Sequence, residues 1–596
     1  MIQSIKPFLW KWKYIFLFIG LFLVVLTQRF LNERQNGLVN SVSSDGLGYY
    51  CYLPAAVIYQ DFSYQYYDNP DNKINPFYKP GLSAYKGRSV NKYYCGTSLC
   101  MLPFFALGVI ISAITGTQIN GYTDTFLMLV SVGALFYYLL SLFLLTKIGN
   151  FFKISEKISF ATGLVFFFGT NLFHYTIQEP SMSHVYSFFA VSLFLFLFIK
   201  TIEHKTNSGL FFLGLSLGLI ILIRPVNVVV VLFTPFFFEN LKDYLLFLKL
   251  LFVKHLKGIV FFALALGIAV LLQLVFYYLQ TGGFYIVSYE GETFNFSNPE
   301  FLNVLFSYKK GLFLYVPILL LALVFIIVVK HSWFKKIIFF LTFSLFIYIT
   351  ASWWCWWYGG GFSIRPVVDV LPLFVITCML FYSKLPVISK RMVIILIIPF
   401  LFMSQLMAYQ YSNLIMDSTE MNKQEFWDIF LETDLATINQ KKIDRILKHG
   451  TIVKTDLLDY ENVFDDKNII KGGYKSNQAC VVGRTNYYSK GFQFPIKDLN
   501  LTEPFYVIIE CMAKTSLEGK NLTLAISIDE NGQCVKWSVV FNSQFKTGTD
   551  GWSKMTQVLE IDKKYIHEIN CMKIFANDDK GDNLVDNLKL TIVKNH

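Results

Sequence analysis

The chain is short of charge: of its 596 residues only 16% are Asp, Glu, Lys or Arg, against 54% hydrophobic and 18% aromatic. That balance excludes an ordinary soluble enzyme and points to a multi-spanning membrane protein. The nine cysteines form no CxxC motif and no Cys/His ligand spacing, so a structural metal site is not expected, while a disulfide such as Cys51 with Cys95 is left open. No small-x-small cleavage site follows the first apolar run, which Lys6, Lys11 and Lys13 precede and Gln28-Arg29-Phe30 ends; it reads as an uncleaved helix. There is no internal repeat and no low-complexity tract. The net charge of +11 is not gathered into a patch with recognition motifs, which argues against nucleic acid as a partner.

What is present is a succession of apolar runs long enough to cross a bilayer as helix, near 8–28, 124–146, 159–177, 184–199, 209–223, 226–238, 258–279, 311–329, 337–353, 366–382 and 392–411, or about eleven spans. A further run at 99–115 is interrupted by Pro103 and Gly108 and reads as re-entrant or interfacial as readily as spanning. If it does not cross, five Lys-bearing loops fall on one side, among them Lys147/Lys153/Lys157 and Lys330/Lys335/Lys336. The positive-inside rule makes that side cytoplasmic. The opposite side then holds a first exported loop of about 30–122, "QEPSMSH", Arg224-Pro225 and "WWCWWYGGGFSIRP".

From about 412 the composition turns polar. A linking region, 412–459, precedes an exported domain, 460–596, whose apolar residues alternate; Leu522, Leu524, Ile526 and Ile528 share one face, and "DENGQ" supplies a turn before "CVKWSVVF". The expected fold is thus an α-helical polytopic membrane domain over 1–411 and a C-terminal, jelly-roll-like β-sandwich.

Unusual polar residues concentrate on the exported side. Asp45, in "SDGLGYY", lies just beyond the first helix among Gly46, Gly48, Tyr49 and Tyr50, and reads either as a helix N-cap or as a base at the membrane surface. Arg88 and Lys92 offer charges for a phosphate, or solvated surface. Glu179 and His184 begin an inward-going helix, and Arg365 follows three glycines and a tryptophan cluster. In the C-terminal domain Trp537, Trp552 and Tyr488 offer flat faces for sugar rings, with at least one tryptophan expected in the core.

Together "SSDGLGYYCYLP", "NKYYCGTSLCMLPFF", "LGLSLGLIILIRPVNVVVV", "LFSYKKGLFLYVPILLLAL" and "WWYGGGFSIRPVVDVLPLFVI" resemble segments of the multi-spanning glycosyltransferases of the C superfamily, which include protein O-mannosyltransferases and lipid A aminoarabinose transferases. The resemblance covers most of residues 30–380 as scattered short motifs. It implies a membrane glycosyltransferase that moves a sugar, with inversion, from a polyprenyl-phosphate donor to a glycan, lipid or protein acceptor. Asp45 would take the catalytic carboxylate role, and Arg224, Arg365, Arg88 and Lys92, with His184, Tyr49 and Tyr50, the donor side. The family's Asp-Glu pair is here Asp45-Gly46, so the second acidic role would pass to Glu179, and a divalent cation (Mg or Mn) would rest on Asp45. The terminal domain resembles carbohydrate-binding jelly rolls. The expected location is a cell inner membrane, multi-pass, with the first long loop and the C-terminal domain periplasmic or extracellular. The rival readings are a transporter or flippase of lipid-linked saccharides and a non-catalytic glycan-binding scaffold.

Overall fold

The structure, a computed structural model, describes residues 10–36, 41–284, 291–417, 419–458, 469–471, 473, 474, 476, 478–482, 487–515, 522–567, 569–578 and 583–594. Lys6, the start of the first apolar run and residues 460–468 lie outside them. The chain divides into two compact units, Met1–Leu26 with Asn40–Met421, and Thr27–Val39 with Asn422–His596.

Among the described residues of the first unit seven helices are long and apolar enough to cross a membrane: Gly96–Thr115, Asp124–Phe151, Ser183–Glu203, Leu256–Thr281, Trp333–Ala351, Arg365–Ser383 and Val387–Ser412. Four shorter apolar helices join them, Lys13–Gln28, Asn207–Ile223, Pro225–Phe237 and Pro317–Val328. The unit is that of a multi-pass membrane protein. Gly96–Thr115 is one continuous helix across Pro103 and Gly108. It lies along only the first half of Asp124–Phe151: the Tyr137 hydroxyl donates to the Cys100 carbonyl at 2.8 Å, and Phe104 and Phe126 fill the space beside Gly133 and Gly108. The second half of that long helix packs instead on Glu156–Gly169, where Gly149 meets Ser159 and Gly163 meets Leu142.

Helix breaks set up the polar residues. The run expected at 159–177 is two helices, Glu156–Gly169 and Leu172–Ile177, because Thr170 adopts an extended backbone between Gly169 and Asn171, residues that hold a helix weakly. Asn207–Ile223 stops at Arg224, since Pro225 forces the preceding residue out of the helical region, here to φ −154°, ψ 109°. Cys51 and Cys95 are both free thiols and are not bridged.

The second unit holds two antiparallel sheets. One runs Ser553–Ile561, Phe505–Lys514, Asn583–Lys594, Gln478–Val482, Ile469–Lys471, with Thr451–Leu458 also paired to Asn583–Lys594. The other runs Phe492–Pro495, Asn570–Asn577, Thr523–Glu530, Gln533–Phe541. Leu522, Leu524, Ile526 and Ile528 are fully buried in the core. The expected turn is the two-residue hairpin Asn531-Gly532, both at positive φ, the geometry this dipeptide favours. Much of the expected linking region belongs to this unit: helix Lys423–Ile429, strand Thr451–Leu458, and helix Leu435–His449, whose Asn439 donates to the Thr556 carbonyl at 2.6 Å.

Candidate active site

Asp45 opens the short helix Asp45–Tyr50, after Ser44 at φ +51°. The two glycines that follow permit close contact: a Cβ on Gly46 would meet Ser181 Oγ at 2.0 Å, and one on Gly48 would meet the Tyr93 ring at 2.1 Å. The carboxylate does not cap its helix. Oδ2 accepts from Arg365 at 2.5 Å and Oδ1 from the Tyr93 hydroxyl at 2.7 Å. Burial raises this carboxyl, but the Arg365 guanidinium, the Tyr93 hydrogen bond and the charges of Lys92 and Arg224 outweigh it and hold it below the usual carboxylate range.

Behind Arg365 lies a carboxylate that the sequence reading passed over. Asp369 is fully buried, with Oδ1 2.9 Å from His184 Nδ1, and with Oδ2 accepting from Asn227 Nδ2 at 3.0 Å and facing Arg224 Nε at 3.5 Å. Asn227 also donates to Ser187 at 3.1 Å, and the Arg224 guanidinium lies over the Tyr358 ring at 5.8 Å. A buried charge is tolerated only when paired and hydrogen-bonded, and Asp369 has both. Its signal was present: a lone carboxylate four residues after Arg365 in an apolar run.

Glu179 joins from the turn between Leu172–Ile177 and Ser183–Glu203. Its Oε1 lies 3.3 Å from Nε2 of the buried His174, and although burial raises its carboxyl, His174, Arg365 and His184 bring it below its ordinary value. Lys310, also passed over, is buried and donates to the Gly361 carbonyl. Gly361, at φ +153°, has room for no side chain larger than hydrogen without contact, since a Cβ would stand 3.0 Å from the Tyr175 hydroxyl. Tyr175 in turn accepts from Phe362 N at 2.9 Å, which fixes the glycine turn before Arg365. Side-chain exposure falls from Asp45 (30%) through Glu179 (21%) and Arg224 (19%) to Arg365 (11%), so the two carboxylates are the most reachable groups of the cluster.

Five residues singled out in the sequence are therefore brought together: Asp45, Glu179, His184, Arg224 and Arg365. Tyr49 packs against Tyr93 (ring centroids 4.8 Å) within electrostatic reach of Asp45 and Arg224. Lys92 is paired with Glu292 at 2.5 Å and contributes charge at Asp45. Tyr50 turns into an aromatic layer with Phe105 and Tyr122 and gives its hydroxyl to the Gly121 carbonyl at 2.6 Å. Arg88 is exposed on the hairpin Ser83–Tyr85/Arg88–Val90 and makes no ion pair with Asp45, Glu179 or Asp369. As a seat for a divalent cation the cluster fits poorly: both Asp45 oxygens are engaged, the surrounding charges are guanidinium and ammonium groups, and among the described residues no three His, Cys, Asp or Glu side chains come together.

In the second unit, Trp552 is buried against Tyr474, while Trp537 and Tyr488 are exposed, both packed on Phe575. They line an open groove of about 450 Å³ with Gln493, Ser527 and the ion pair Lys573–Asp529 at 2.7 Å.

No family model matches the chain, and no curated protein matches it. A solved structure, arabinosyltransferase EmbB from Mycobacterium smegmatis, aligns over 83% of this chain and 59% of that one, at 11% identity and a TM-score of 0.26. So loose a superposition carries no assignment, which rests on the side chains described above.

Proposed function

We propose that the protein is a membrane glycosyltransferase that moves a sugar from a polyprenyl-phosphate donor to an acceptor hydroxyl at the exported face, with inversion. The observation that carries this reading is the shared guanidinium of Arg365: it pairs with Asp45, and its charge also reaches Glu179. Two reachable carboxylates thus meet a pair of arginines, Arg365 and Arg224, at the ends of apolar helices, where a lipid tail and a water-soluble acceptor can both arrive.

In the proposed reaction the acceptor oxygen attacks the anomeric carbon opposite the phosphate. The carbon–oxygen bond breaks with its electron pair going to the phosphate, and the hydroxyl proton goes to a carboxylate. Arg365 and Arg224 sit where they can meet the negative charge that grows on the leaving phosphate. Asp45 is held ionised and is a weak base while Arg365 grips it. A donor phosphate that competes for Arg365 loosens that grip and raises the proton affinity of Asp45 when the acceptor needs a base. Glu179 is the second carboxylate, oriented by His174. The groove with Trp537 and Tyr488 suits the face of a pyranose, and with it a glycan acceptor.

The test is transfer of radiolabelled sugar from a panel of polyprenyl-phosphate donors by purified protein, with Asp45→Asn and Glu179→Gln alongside. Product from wild type that is lost in Asp45→Asn supports the reading; donor binding that is equal in both proteins, with no turnover, overturns it in favour of transport or scaffolding.

A further inference from the structure

Lys310 is a buried cation with no carboxylate in hydrogen-bond contact among the described residues. It comes from the short connection between helices Phe301–Phe306 and Leu312–Tyr315. Its ammonium donates to the carbonyl of Gly361 and lies 5.9 Å from the centroid of the Tyr411 ring. The α-carbon of the same Gly361 is lined by Arg365: a Cβ there would be 3.5 Å from Arg365 Cδ and 4.0 Å from its NH1. Lys310 and Arg365 thus flank one glycine, although Arg365 has a carboxylate partner in Asp45 and Lys310 has none at contact distance among the described residues. The charged groups that face Lys310 are Arg365, Glu179, Asp417 and Lys309. Burial, and then the repulsion of Arg365, bring its ammonium down to about 7. A positive charge held so weakly is stabilised by an added anion.

The proposed reaction supplies one. The donor phosphodiester carries a single negative charge, and the polyprenyl phosphate left behind gains a second as its ester bond breaks. We propose that Lys310 is the positioning residue for the leaving phosphate: through its charge beside Arg365 it favours the dianionic phosphomonoester over the monoanionic phosphodiester, and so draws charge onto the leaving group. This rests on the donor class proposed above. The electron pair of the broken bond stays on the phosphate, the acceptor proton stays on the carboxylate, and Lys310 supplies the matching positive charge without covalent change.

The experiment compares binding of two probes to the full-length protein in detergent: polyprenyl phosphate and its methyl diester, which cannot take a second charge. Wild type, Lys310→Met and Lys310→Arg are measured at about pH 7, where the monoester is already largely dianionic and Lys310 still carries charge. Lys310→Met is expected to weaken the monoester about tenfold more than the diester, and Lys310→Arg to restore the preference. Equal losses for both probes in Lys310→Met mean a merely structural lysine and overturn the proposal, as does a preference unchanged by the substitution; both leave the lipid-phosphate reading standing. Failure of wild type to bind either probe overturns that reading and this proposal together.

Discussion

The polar cluster of the helical unit and the groove of the β unit are opposite solutions to holding polar chemistry. In the first, Asp45, Glu179, Asp369, His184, Arg224 and Arg365 are wholly or mostly withdrawn from water and neutralise one another. In the second, Trp537 and Tyr488 stand exposed, and the one ion pair, Lys573–Asp529, lies at the groove wall. Buried charges depend on every partner, so each removal disturbs the fold as well as the chemistry. Exposed aromatics on a packed sheet can be removed with little cost to stability.

Substitutions can break or sharpen that contrast. The largest effect is expected for Asp369→Ala, which strands Arg224 and His184: a loss of about 3–5 kcal/mol from the helical unit, read by thermal unfolding in detergent. An unchanged unfolding temperature would mean that Asp369 is dispensable to the cluster. Gly46→Ala brings a methyl to within 2.0 Å of Ser181 Oγ and is expected to destabilise by about 1–3 kcal/mol, with transfer reduced through displacement of Asp45. Wild-type stability and transfer in this variant would show that the approach of the Gly46 and Ser181 segments is looser than described. In the β unit the two tryptophans separate cleanly. Trp552→Ala is expected to cost about 3 kcal/mol, whereas Trp537→Ala should stay within about 0.5 kcal/mol and lose only affinity for glycans, measured by calorimetric titration.

The smallest effect is on pH dependence. Because the Asp45 carboxyl is lowered in the folded protein, the stability it contributes is present above its unfolded value of about 3.9 and is lost as pH falls through the lower folded value. Asp45→Asn is therefore expected to show a shallower loss of stability in acid below about pH 4 than wild type does. A steeper loss would reverse the sign assigned to the Asp45–Arg365 pair.

Much of this arrangement was legible in the sequence, for particular reasons. Asp45, Glu179 and Arg365 stood out because charges beside apolar runs are costly, Arg224 through the resemblance of its Arg-Pro segment, and the structure brings all four together. Asp369 and Lys310 were missed because each sits near a more conspicuous feature, Arg365-Pro366 and the Lys309-Lys310-Gly311 turn, and only tertiary packing shows that their side chains turn inward. Arg88 is exposed on its hairpin, and nothing in its local sequence distinguishes a solvated hairpin charge from a phosphate ligand. The helix break at Thr170 falls at Gly169-Thr170-Asn171, weak helix formers inside a run that length alone reads as one span. Strand Thr451–Leu458 was absorbed into the linking region because polar residues interrupt its alternation, and its place comes from pairing with the distant strand Asn583–Lys594. Trp537 and Trp552 could not be told apart by composition; sheet register exposes one and packing against Tyr474 buries the other.

The most direct measurement places both regions in one assay: sugar transfer from a polyprenyl-phosphate donor by wild type, Asp45→Asn and Trp537→Ala, each first shown to be folded. The expected result is a loss of about 10²–10⁴-fold in turnover for Asp45→Asn, and for Trp537→Ala a change confined to the acceptor KM. Retained turnover in a folded Asp45→Asn protein would contradict the assignment of the buried cluster as the site of transfer.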